Sequence, residues 1–147
     1  MNLQQNIHHT EEIELFNKNI LERLTLPHIE GLLIRPLRST DYDKGFLQLL
    51  GQLTEVGKIT REQFLNKFQS MKNAGIYYIV VIEDLNCAKV IASSTLIAEQ
   101  KFIHNCALVV LLQEAEIQNL PKPLQLLQFY LLFLVQLPLP KYKTIKI

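Results

Sequence analysis

Ile76-Tyr-Tyr-Ile-Val-Val-Ile82, Glu83-Asp-Leu-Asn86 and Val90-Ile-Ala-Ser-Ser-Thr-Leu-Ile-Ala98 make up the stretch that decides how this chain folds. The two outer runs are rich in β-branched and aromatic residues, with no glycine or proline to interrupt a strand. The short polar residues between them are of the kind that close turns. Two strands joined this way predict an antiparallel hairpin, and Tyr77 and Tyr78 read as strand core within it.

Upstream, Thr60 and Gln63 have the spacing of a capping box. Phe64, Leu65, Phe68 and Met71 follow at helical steps, and Gly75 offers a stop. Ser39-Thr-Asp41 can cap a helix that carries Phe46, Leu47, Leu49 and Leu50 toward a core. Gly31 to Leu37 is a short apolar run stopped near Pro36, which predicts an edge strand. Ile13, Phe16, Ile20, Leu21 and Leu24 predict a short amphipathic helix that ends before Pro27. Downstream, Leu108 to Leu112 reads as a buried strand and Gln113 to Lys122 as polar linker or a helical turn. Leu124 to Leu137 reads as an apolar helix between Pro123 and Pro138, and Tyr142 to Ile147 as a last strand. The expected class is α/β (α+β), a mixed and mostly antiparallel sheet flanked by helices. Residues 1–29 are expected to be an N-terminal extension with a short helix, and 30–147 a single domain.

With 147 residues, 48% of them hydrophobic, the chain can bury a real core. A net charge of +1 supplies no basic field for nucleic acid. Cys87 and Cys106 form no CxxC pattern, which argues against a disulfide framework or a zinc site and suits a reducing, cytoplasmic setting. The polar start around His8 and His9 lacks the apolar centre of a signal peptide. Leu124 to Leu137 would span only about 21 Å as a helix and includes Gln125, Gln128 and Gln136, so membrane association is not expected.

Several segments resemble the eukaryotic glucosamine 6-phosphate N-acetyltransferases, a family with the GNAT fold. They are Leu33-Ile-Arg-Pro-Leu37, Gly45-Phe46, Leu50-Gly-Gln-Leu-Thr-Glu-Val-Gly57, Tyr77-Tyr78, Val81-Ile-Glu-Asp84 and Thr95 through Lys101-Phe-Ile-His104 to Ala107. The resemblance covers about Gly31 to Ala107. It implies transfer of acetyl from acetyl-CoA to the amine of glucosamine 6-phosphate, with no metal, and a homodimer. It also implies sugar-phosphate contacts at Thr54, Lys101, Phe102, Ile103 and His104. Charge-assisted donors from Lys101 and His104 suit a phosphomonoester. Taken singly, the same residues read as a turn threonine, a solvated strand-end lysine and a satisfied histidine. Only the string at matching spacing points to substrate. A sugar-phosphate binding or dimerisation module without acetyl transfer is the alternative reading.

The vocabulary changes after Ala107. Residues 108–147 contain twelve Leu, five Gln and four Pro, but no Gly, Asp, Arg, Ser or His. The family continues with a glycine-rich loop whose amides hold the CoA pyrophosphate at a helix N-terminus. Here Pro121 and Pro123 lack that donor, and Glu114 and Glu116 would repel phosphate with only Lys122 to oppose them. No pyrophosphate site, catalytic base or catalytic acid is assigned in this segment. Translation of residues 108 to about 140 from a shifted frame or a mis-predicted exon is expected to account for the change, a genuine divergent isoform being the competing reading, with Lys141-Tyr-Lys143 resembling the family again.

Overall fold

The computed structural model describes residues 11–24, 26, 28–52, 54–100 and 108–115. Strands β1 (Leu32–Pro36), β2 (Tyr77–Asp84), β3 (Lys89–Gln100) and β4 (Leu108–Ala115) form one sheet in the order β1-β2-β3-β4. All three pairings are antiparallel. The β2–β3 pair sets Tyr77 opposite Ile97, Ile79 opposite Thr95 and Val81 opposite Ser93, with a register shift after Ile82. A short helix α1 (Asn19–Glu22) precedes β1. Between β1 and β2 the chain makes a 3-10 turn (Ser39–Tyr42), α2 (Phe46–Leu50) and α3 (Arg61–Ala74).

Local chemistry sets the bounds of α3. Thr60 Oγ1 accepts from the Gln63 amide at 3.2 Å and Gln63 Oε1 accepts from the Thr60 amide at 2.8 Å, which satisfies two donors the helix cannot. Gly75 ends the helix at φ 68°, where a side chain would be strained. The helix then buries Phe64 and Phe68 against Leu37, Phe46, Leu49, Ile79, Val81 and Val90 on one face of the sheet. On the opposite face, Leu21 packs with Val80, Leu96 and Ala98.

The N-terminal segment departs from expectation. Its helix is limited to Asn19–Glu22, and Glu14 instead bridges Arg38 in extended backbone. The Leu15 amide donates to the Leu37 carbonyl at 2.8 Å, and the Ser39 amide to the Ile13 carbonyl at 2.9 Å. Those bonds continue the β1 edge and are closed to a helix. As a result Leu15 serves the helix-side core, Leu21 the other face, and Phe16 packs against both.

Two smaller differences have similar causes. Ser39–Asp41 do not lead directly into α2, because Gly45 stands at φ 82° between the 3-10 turn and the helix. β4 also runs on past Leu112 to Ala115, since the twelve-residue β3 offers partners as far as Ser93. The helix expected at Leu124–Leu137 and the strand at Tyr142–Ile147 lie outside the described residues, as do residues 116–123.

Candidate functional site

The helix-covered face of the sheet has two ends of opposite character. At the β1 end, Arg35 lies in an otherwise apolar strand with only 3% of its surface exposed. Its guanidinium makes a two-pronged bond to Asp41, at 2.7 and 2.8 Å, and a third to Glu83 at 2.8 Å. Lys44 closes on the other Glu83 oxygen at 2.8 Å, and the Arg38 amide donates to Asp41 at 2.7 Å. Burial opposes the Arg35 charge, but Asp41 and Glu83 outweigh it and raise the guanidinium pKa. For Glu83, burial again opposes charge, yet hydrogen bonds from Lys44 and Arg35 pull its pKa below the ordinary value. This cluster joins β1, β2 and the approach to α2. Every charge in it is paired.

At the other end, among the described residues, α2 and α3 leave part of the sheet uncovered. A cleft of about 810 Å³ opens there, over a floor of Tyr77, Thr95 and Ile97. Phe46, Leu50, Phe64 and Phe68 form apolar walls, while Lys58 and Lys67 stand among its lining residues. No carboxylate is among those residues, and both lysines are exposed.

The loop between α2 and α3 is tied to the 3-10 turn at its far end. Tyr42 donates its hydroxyl to the Ile59 carbonyl at 3.0 Å. Arg61 pairs with Asp43, and its guanidinium stacks 5.0 Å from the Tyr42 ring centre. Thr54 sits on this loop, exposed, with its amide donating to Leu50 at 3.3 Å. It does not line the cleft, although Leu50 and Lys58 on either side of it do. Lys101, Phe102, Ile103 and His104 lie outside the described residues, so no contact between them and Thr54 is described. On either side of residues 101–107, Gln100 and Leu108 are partners in the β3–β4 register. Sequence reading missed the cleft lysines and the buried charge cluster. Arg35 inside a strand of apolar residues was the one available signal for the cluster. For Lys58 and Lys67 no sequence signal existed, since exposed lysines on a loop and a helix look alike everywhere.

No family model matches the chain. A Drosophila melanogaster protein named "Probable glucosamine 6-phosphate N-acetyltransferase" is 44% identical over 113 residues, which is 67% of this chain and 52% of that protein. A Dictyostelium discoideum protein named "Glucosamine 6-phosphate N-acetyltransferase 1" is 44% identical over 78 residues, covering 52% of this chain and 49% of the relative. The chain thus spans about half the length of the curated relatives it matches. The crystal structure of glucosamine-6-phosphate N-acetyltransferase from Arabidopsis thaliana superposes with a TM-score of 0.70 at 29% identity, over 80% of this chain and 82% of that one. A Trypanosoma brucei acetyltransferase has the same fold, with a TM-score of 0.65 at 20% identity over 79% of this chain and 82% of that one.

Proposed function

We propose that this chain, similar to the eukaryotic glucosamine 6-phosphate N-acetyltransferases, transfers acetyl from acetyl-CoA to the amine of glucosamine 6-phosphate. The reading is carried by the string Thr95 to Ala107, whose first six residues form the second half of β3. Lys101 and His104 follow directly, with the charge to meet a phosphomonoester, and Phe102 and Ile103 come between them. Thr54 adds a hydroxyl from the α2–α3 loop.

The chemistry asks for orientation more than for a covalent intermediate. The free amine attacks the thioester carbonyl, a C–N bond forms, the C–S bond breaks, and the amine's proton leaves as the thiolate gains one. Holding the sugar phosphate at its charged end fixes the amine for that attack. Residues 108–123 supply no glycine, and prolines stand at 121 and 123, so acetyl-CoA is held less firmly than by a loop of free amides. The expected enzyme is therefore slow at low acetyl-CoA. On the same resemblance, residues 30–147 form the catalytic domain, 1–29 an extension, and the working unit is a cytoplasmic homodimer. Among the described residues no helix is long and apolar enough to cross a membrane.

A thiol-release assay on the purified chain tests the reading. Free CoA should appear with saturating dependence on glucosamine 6-phosphate and far less with glucosamine. Absence of release, or equal release with the unphosphorylated sugar, would refute it.

A further inference from the structure

We propose that the cleft between α2, α3 and the sheet is a binding site for an amphiphilic anion, with an aliphatic body and a carboxylate or phosphate head. Its size, about 810 Å³, falls within the range of small-molecule pockets. The apolar walls at Phe46, Leu50, Phe64 and Phe68 favour a hydrocarbon body, which gains by leaving water. Lys58 and Lys67 set the sign of the head. They come from different elements, the α2–α3 loop and α3, and both reach the same cleft. Among the described residues no ion pair neutralises either lysine and no acidic side chain lines the cleft to repel an anion. Gln63, Asn66, Ser70 and Thr95 add uncharged polar groups around the apolar surface. A neutral hydrocarbon would leave both ammonium groups unused, and an amphiphilic cation would meet them as like charges. This inference stands apart from acetyl transfer, because it draws only on the cleft.

Calorimetric titration of the full chain with decanoate, decyl phosphate, 1-decanol and decyltrimethylammonium, each below its aggregation threshold, tests it. Both anions should bind one to one and more tightly than the alcohol, with the cation weakest. Whichever anion binds more tightly identifies the head group. The Lys58→Gln/Lys67→Gln variant should lose roughly three- to tenfold in anion affinity, as two partly exposed charge contacts would give. Its affinity for decanol should not change, which serves as the control for an intact fold. Amide resonances of Thr95 and Ile97 should move on decanoate binding. Equal affinity for anion and cation, an unchanged anion affinity in the double variant, or several molecules bound per chain would overturn the proposal.

Discussion

Arg35, Asp41, Glu83 and Lys44 occupy one end of the helix-covered face, and Lys58 and Lys67 border the other. The same sheet supports both, yet the charges behave in opposite ways. At the β1 end they are mutually satisfied, with Arg35, Asp41 and Glu83 buried and Lys44 half-buried, so they fix the geometry of β1, β2 and the turn before α2. At the cleft end they are exposed and, among the described residues, unpaired, and so remain available to a ligand. Buried charge on this face works as scaffold, while exposed charge beside apolar surface works as recognition.

The largest effect should come from opening the closed end. Asp41→Ala leaves the Arg35 guanidinium buried without its main partner and should cost about 3–5 kcal/mol, read from urea denaturation. Acid should act on the same cluster. Because Glu83 titrates below its ordinary value of 4.5, its contribution is complete above pH 4.5 and is lost as pH falls through the depressed folded value. A Glu83→Gln variant should be less stable at neutral pH and show a shallower loss as pH falls below 4.5, read from denaturation midpoints. Thr60→Ala, which removes one half of the α3 capping box, should cost about 1 kcal/mol. Lys67→Gln, at the open end, should change stability by less than about 0.5 kcal/mol. A large loss at Lys67 or a small one at Asp41 would erase the contrast between the two ends.

Much of the fold was legible because its signals are local. The α3 cap and stop lie within the helix's own sequence, and the β2–β3 hairpin declares itself in two β-rich runs around a polar turn. The N-terminal segment misled because Ile13, Phe16, Ile20 and Leu24 fit a helical repeat, although Leu15 does not and is nearly fully buried. Its pairing with Leu37 and Ser39 is a contact across more than twenty residues, which no local repeat reveals. For the candidate site, the family resemblance implied Thr54 and Lys101 to His104, of which only Thr54 lies among the described residues. The cleft arises where α2, α3 and β3 meet, and so appears only once those elements are packed.

Titration of the purified chain with glucosamine 6-phosphate, followed by calorimetry beside the Lys101→Ala and His104→Ala variants, bears most directly on the proposed activity. The account predicts one site per chain, with each variant weakening it about tenfold or more through loss of a charge-assisted bond to phosphate. Unaltered affinity in both variants, or affinity for plain glucosamine equal to that for the phosphorylated sugar, would contradict it.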